Sequence, residues 1–358
     1  MVFKIEKADL LEGMKVAKKV IGRSALKVDD AMISMAGSGD KLTLRACFPG
    51  LCYLDWIIQG DGDANDIEDM IVPLDKLRGV TDRMPMETIS VRIDPKNDKR
   101  LRLQCGKRSA VIPVSRDTMA FREIESDAKL THEGEMRPLN QTVKLFEKVS
   151  LGGFNAWGCV CATPDGTGYV TDEGNMLVMP FPLVEKASHP LMLPTKVLVP
   201  AMMLGGKVKV LLTDKKLCLK NDRWSYMVVT TYVKAPGYEA VVGGFLQHNR
   251  VPIDIDPLSK EVKDFRKACK DGSLIVNSKA GKLSVRASRD ASIAYKSERD
   301  IGDSPDFEFA VIPENYLKVG PCFKKDTEIA VADGSHLFLK SGDTMGIISC
   351  IAETIKFS

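Results

Sequence analysis

A strand, a proline and a short helix recur three times along this chain, and that recurrence limits its fold more than any other feature. The copies are Ile71-Val72-Pro73-Leu74-Asp75-Lys76-Leu77, Val197-Leu198-Val199-Pro200-Ala201-Met202-Met203-Leu204 and Ala310-Val311-Ile312-Pro313-Glu314-Asn315-Tyr316-Leu317. In each, the ring fixes a backbone angle suited to a first helical turn and gives up an N–H that would lack a partner there, so the proline starts a helix. Gly205-Gly206 ends the middle copy, because glycine reaches the left-handed conformation of a helix C-terminus without a Cβ penalty. The prolines lie 127 and 113 residues apart (73 to 200, 200 to 313), too far for a solenoid and suited to domains in tandem. Each copy is followed by a strand, a polar turn (Asp94–Asp98; Thr213–Lys216; Asp333–Ser335), a strand, a second turn (Gly106–Lys107; Asn221–Asp222; Ser341–Asp343) and a strand.

This order predicts three similar domains, at 1–126, 137–244 and 250–358, within the 358 residues. Glu125–Pro138 and Gly243–Pro252, polar and turn-rich, read as linkers. Each domain reads as helices on one face of antiparallel strands, the α+β way of burying an apolar stripe. Hydrophobic residues at 44% and charged ones at 28% suit a folded chain. There is no long apolar run and Met1–Ile5 reads as a strand, so the expectation is a soluble, cytoplasmic protein that uses no membrane. Nine cysteines without CxxC spacing predict reduced, mostly buried thiols. A net charge of +3 means that any affinity for nucleic acid must come from where the charge lies.

The first helix of each domain carries lysines on a face apart from its apolar stripe. The helix from about Ala8 to Val20 has Leu10, Leu11, Met14, Ala17 and Ile21 at helical spacing, with Lys15, Lys18 and Lys19 elsewhere; that from about Asn140 to Val149 has Lys144 and Lys148 one turn apart. The helix from about Pro257 to Lys270 has Lys260, Lys263, Lys267 and Lys270 on one side. Lysine faces are also what an ordinary solvated surface looks like. Their repetition in all three domains sets a second reading beside that one, a diffuse positive surface facing phosphates, and the sequence pattern leaves both open.

Several stretches carry a resemblance: the opening strand and helix with Leu10-Leu11, Ile21-Gly22-Arg23, Cys105-Gly106-Lys107-Arg108-Ser109, Val170-Thr171-Asp172-Glu173-Gly174-Asn175-Met176-Leu177, and Ala235-Pro236-Gly237-Tyr238. In this order, over nearly its whole length, the chain resembles the bacterial sliding clamps, the β subunits of the replicative DNA polymerase, with departures that would suit a divergent, bacteriophage-encoded member. The resemblance implies the DNA clamp fold, with two copies closed head to tail into a ring around duplex DNA, serving a DNA polymerase and opened by a separate clamp-loader ATPase. The DNA-facing residues it implies are Lys15, Lys18, Lys19, Arg23, Lys144, Lys148, Lys263, Lys267 and Lys270. It also implies a hydrophobic pocket for partner peptides between the second and third domains. That pocket would use Thr171, Gly174, Asn175, Met176, Leu177, Pro236, Ala240, Val241, Val311, Ile347, Ile348, Ser349, Cys350 and Ile351. The dimer seam would set Ala110, Val111 and Ile112 opposite Cys269, with Pro113 interrupting the edge ladder. The chain departs from the family at Gly174-Asn175-Met176-Leu177 and Ser349-Cys350-Ile351, and it runs on to Ser358, which leaves its partner peptides open.

Other chemistry is not legible. Asp61–Asp66 hints at a calcium loop, but Asp66 stands where glycine is needed and Val72 where a carboxylate is needed. His132, His189, His248 and His336 are scattered, without metal-ligand spacing, and neither a P-loop nor GxSxG occurs. No cofactor, metal or catalytic activity is therefore expected. Two other readings stay beside the ring: a clamp-like scaffold that binds peptides without encircling DNA, and a DNA-processing enzyme whose catalytic groups are far apart in sequence.

Overall fold

The computed structural model describes residues 2–21, 31–117, 128–184, 187–231, 233–238, 242–244, 247–248, 250–269, 272–287, 294–302, 306–332 and 335–351. Its main helices are α1 (Lys7–Ile21), α2 (Leu74–Asp82), α3 (Met136–Val149), α4 (Thr195–Leu198), α5 (Asp256–Ala268) and α6 (Pro313–Val319). The chain divides into two compact units: Met1–Asn140 with Leu183–His189 and Lys196–Thr231, and Gln141–Pro182 with Pro190–Thr195 and Tyr232–Ser358.

In the first unit twelve strands among the described residues join in one sheet, with all pairings antiparallel. The main path runs Arg108–Pro113, Asn97–Cys105, Thr88–Asp94, Phe3–Glu6, Cys52–Asp61, Trp224–Val229, Lys216–Lys220, Lys207–Leu212 and Lys129–Glu135. Lys41–Phe48, Met32–Ser38 and Met70–Pro73 branch off Cys52–Asp61. The long strand Cys52–Asp61 joins two parts of the sheet, because Cys52–Trp56 pair with Trp224–Val228 while Gly60 and Asp61 pair with Ile5 and Lys4. Helix α1 packs on it closely enough to require glycine: a Cβ on Gly13 would stand 2.6 Å from Trp56 Cδ1. Arg223 then lies over the Trp56 ring at 5.4 Å and pairs with Asp9 (2.9 Å) and Glu12 (3.4 Å), fastening α1 to the 216–229 hairpin.

In the second unit, eight strands run in the order Leu191–Pro194, Cys159–Ala162, Thr167–Asp172, Asn175–Pro180, Thr344–Ser349, His336–Ser341, Thr327–Ala332 and Val251–Ile253. A second sheet runs Lys296–Asp300, Lys282–Ala287, Leu274–Lys279 and Phe307–Val311. Helices α5 and α6 meet through Arg266 and Glu314 (2.7 Å) and through Ser259 and Tyr316 (3.0 Å). The Lys18–Asp75 pair at 2.8 Å ties α1 to α2 in the same way, and in both cases the acid sits in a first helical turn, where the helix dipole favours it.

The structure corrects the placement of the repeat. Val197 and Leu198 belong to α4, and Val199–Met203, with Pro200 inside, is a 3-10 turn that continues it. The strand that leads into a helix is Leu191–Pro194, so the equivalent prolines are Pro73, Pro194 and Pro313, spaced 121 and 119 residues apart. The first linker also contains a strand: Lys129–Glu135 is an edge strand on Lys207–Leu212. The strand expected from Val251 to Ile255 is present as Val251–Ile253, paired with Thr327–Ile329. Lys129–Glu135 reads as polar because only Thr131 along it is buried, and Glu135 and Glu133 stand opposite Lys207 and Lys209.

Candidate functional site

Lys15, Lys18 and Lys19 on α1, Lys144 and Lys148 on α3, and Lys263 and Lys267 on α5 are all exposed. Two of these charges are already paired: Lys18 with Asp75, and Lys267 with Asp264 at 3.2 Å. Arg23 and Lys270 lie outside the described residues. The buried side of α1 is Leu10, Gly13, Met14, Val16, Ala17 and Val20, so Leu11 and Ile21 flank the stripe instead of forming it.

The peptide-pocket residues fall on both faces of one sheet. Strand alternation sends Met176, Val178, Met345 and Ile347 to one side, where they cluster with Tyr169, Phe338, Ala330, Cys159, Cys161 and Met192. Thr171 stands opposite Met176 on the same side and donates its hydroxyl to the Asn175 carbonyl (2.7 Å). Ala235, Tyr238 and Val242 pack against this cluster, and Tyr169 donates to the Pro236 carbonyl at 2.6 Å while its ring lies 4.4 Å from that of Tyr238.

Leu177 and Ile348 point the other way and are wholly buried. Gly346, opposite Leu177, marks how near the helix comes, since a Cβ there would stand 2.5 Å from Val319 Cγ1. Val311 is also wholly buried and bridges Cys350. These three residues are core under the site and contribute no surface, a correction to their grouping with the pocket.

Ala240 and Val241 lie outside the described residues, while Ser349, Cys350 and Ile351 are half-buried. Tyr169, Phe338, Met345 and Val242 join the cluster without a sequence motif that marks them, and Tyr238, part of the Ala235–Tyr238 motif, joins it without having been placed in the pocket. The alternation of Tyr169 with Thr171, and of Met345 with Ile347, is the signal that would have found part of it.

One buried carboxylate organises the rim. Asp172, 5% exposed, accepts from the Gly174 N–H (2.9 Å), the Asn175 N–H (2.6 Å) and Asn175 Nδ2 (3.0 Å), and pairs with Lys318 of α6. Gly174 in turn accepts from the Ser349 N–H at 2.6 Å, which pins the hairpin tip to the strand Thr344–Ser349.

At the expected seam, Val111 is 40% exposed and Ala110 half-buried, but Ile112 and Cys269 are each 1% exposed and belong to cores. Arg108–Pro113 is an edge strand, and Pro113 ends it, opposite Arg100, where a missing N–H is harmless.

Seven of the nine cysteines are buried, with Cys322 and Cys350 half-buried. Burial pushes the Cys322 thiol up to about 11 and that of Cys350 up to about 12. At pH 8 roughly one Cys322 in a thousand is therefore a thiolate. Iodoacetamide labelling of the native protein, read by peptide mass, is expected to be negligible at these two positions at pH 8. It should rise about tenfold per pH unit toward pH 11. Full labelling of both within minutes at pH 8 would contradict this.

Among the described residues no group of three or more His, Cys, Asp or Glu is placed to hold a metal ion, and no helix is long and apolar enough to cross a membrane. Antiparallel sheets backed by paired helices, with a proline-led helix recurring at nearly even spacing, define a repeated α+β fold. Comparison with solved structures identifies it. A DNA polymerase III subunit beta from Pseudomonas aeruginosa superposes with a TM-score of 0.83 at 16% identity, over 98% of this chain and 100% of that one. A DNA polymerase sliding clamp from Bacillus subtilis gives 0.83 at 12%, and one from Caulobacter crescentus 0.81 at 16%, each over 98% of this chain and 99% of the other. No family model and no curated protein matches the sequence. The chain has the sliding-clamp fold.

Proposed function

We propose that this chain is a DNA sliding clamp, a processivity factor without catalysis of its own, made of three domains near 1–126, 137–244 and 250–358. Two copies close head to tail around duplex DNA, and the ring tethers a DNA polymerase in the cytoplasm of a bacterium or a phage-infected bacterium. The observation that carries this reading is the likeness to the P. aeruginosa subunit over the full length of both chains. The exposed lysines of α1, α3 and α5 supply diffuse positive charge for phosphates, to which Arg23 and Lys270 would add. The cluster around Met176, Ile347 and Tyr238 supplies an apolar bed for partner peptides, with Ala240 and Val241 near it in the chain.

Two edge strands offer the seam: Arg108–Pro113 in the first unit and Lys296–Asp300 in the second. Arg100, Lys107 and Arg108 lie on or beside the first, whereas on the second Lys296 already pairs with Glu298 at 2.9 Å and Arg299 with Glu261, so free backbone groups of the two edges, not charge, would carry the seam. With no P-loop in the chain, opening the ring falls to a separate clamp-loader ATPase.

The test is retention on DNA. Protein loaded on nicked circles is expected to stay bound at salt that removes it from linear duplex, and to leave when the circle is cut. Sedimentation should give a particle of twice the 39.4 kDa chain. Equal loss from circles and linear DNA would favour the scaffold that binds peptides without encircling DNA, and metal-dependent turnover of DNA would favour an enzyme.

A further inference from the structure

Beyond the proposed ring, we infer that one face of the sheet in the first unit is a docking surface for a carboxylate-rich segment of a partner protein. Strands Thr88–Asp94, Asn97–Cys105 and Arg108–Pro113 lie side by side, and alternation turns Val91, Leu101, Leu103 and Ile112 into the core. Arg92, Arg102 and Val111 form one row on the opposite face, with Arg92 directly across from Arg102 and Arg102 across from Val111.

Like charges directly opposite one another are unfavourable in an antiparallel pair, and here the chain only half compensates. Asp94 takes Arg102, at 3.3 and 3.4 Å, while also accepting from the Lys96 N–H. That N–H and the Arg102 guanidinium hold the Asp94 carboxyl below the usual carboxylate range. Among the described residues Arg92 reaches only Gln104 Oε1, at 3.5 Å, and pairs with no carboxylate. The Nε atoms of both arginines are buried without an acceptor.

An arginine fork that is half desolvated and short of acceptors matches the two oxygens of a carboxylate. Val111, 40% exposed, continues the row with an apolar contact. Arg100, exposed and two residues along the strand from Arg102, extends the basic face, so duplex DNA is the competing partner; the half-desolvated fork of Arg92 favours a planar carboxylate over it. Arg92 lies two strands in from the edge Arg108–Pro113, so it does not depend on what pairs with that edge.

The experiment is anisotropy titration of the full-length protein at low salt with a short fluorescein-labelled glutamate-rich peptide, its glutamine counterpart and a short duplex DNA. The glutamate peptide is expected to bind, and Arg92→Gln to weaken it by about tenfold or more. Arg92→Lys, with the charge but not the fork, should fall between, and Lys99→Gln on the same hairpin should leave binding unchanged. Because Arg92→Gln also removes one of two facing cations, the variant should melt higher than the parent, which a merely structural arginine would not do. Unchanged binding by Arg92→Gln, equal binding of the glutamine peptide, or a lower melting temperature would overturn the proposal. Tighter binding of the duplex with the same dependence on Arg92 would overturn the choice of partner.

Discussion

Asp172→Ala is expected to destabilise the second unit by about 3 kcal/mol and to remove peptide binding with it. The carboxylate serves two backbone N–H groups, the Asn175 amide and the Lys318 ammonium at once. Losing one partner of a buried charge pair costs roughly 3–5 kcal/mol, and an orphaned buried donor about 1–3. Lys318, with a side chain 32% exposed, can turn to water, which holds the total to the low end of that range. Asn175 has no such outlet, being 3% exposed with its Oδ1 already lacking a partner. The damage then spreads along the register that joins Asn175–Val178 to Met345–Ile348, the strands that carry Met176 and Ile347. Asp172→Asn keeps one of the two oxygens, the one that serves the Gly174 and Asn175 donors, but not the acceptor for Lys318, and should lose about 1–2 kcal/mol. Hydrogen exchange is the suitable measure, with protection falling along Thr167–Asp172, Asn175–Pro180 and Thr344–Ser349 while Lys41–Phe48 in the first unit is unchanged. Wild-type protection throughout would show that Asp172 does not hold the rim.

The second large effect concerns charge. Changing Lys15, Lys19, Lys144 and Lys148 together to glutamine is expected to lower the slope of log affinity against log salt on linear duplex by about 3.6, at about 0.9 per phosphate contact. Between 200 and 50 mM salt that is a gain in affinity roughly 150-fold smaller than the parent's. Lys18 and Lys267 are left alone because Asp75 and Asp264 already neutralise them. All four substituted side chains are exposed, so stability should stay within about 0.5 kcal/mol. An unchanged salt slope would remove these helices from the DNA-facing surface, whatever the solution mass of the particle.

How much of this was legible in the chain depends on the range of the interactions. The helices α1, α3 and α5 and their lysine faces could be read directly, since a helical period is written within a few turns. The middle proline could not. Leu191-Met192-Leu193-Pro194 and Val197-Leu198-Val199-Pro200 are both apolar runs ending in proline, and local sequence does not rank them. The choice falls to Leu191–Pro194 because its residues pair with Cys159–Ala162, about thirty residues earlier. Lys129–Glu135 was likewise hidden, because an edge strand with one buried side chain has the composition of a loop until Lys207–Leu212 lies beside it.

The site divides along the same line. The family resemblance, not an apolar pattern, joined Thr171 to Leu177 with Ile347 to Ile351; by itself the sequence determined only that alternate residues along such strands must face opposite ways. Only the tertiary structure decided which set is which. Met176 and Ile347 face the segment carrying Ala235, Tyr238 and Val242, whereas Leu177 and Ile348 are shut in on the side of Gly346 and Val319. Period-two patterning is a property of one strand, but what covers each face is set by elements distant in the chain, Tyr238 for Met176 and Val319 for Leu177, and no local preference encodes their arrival.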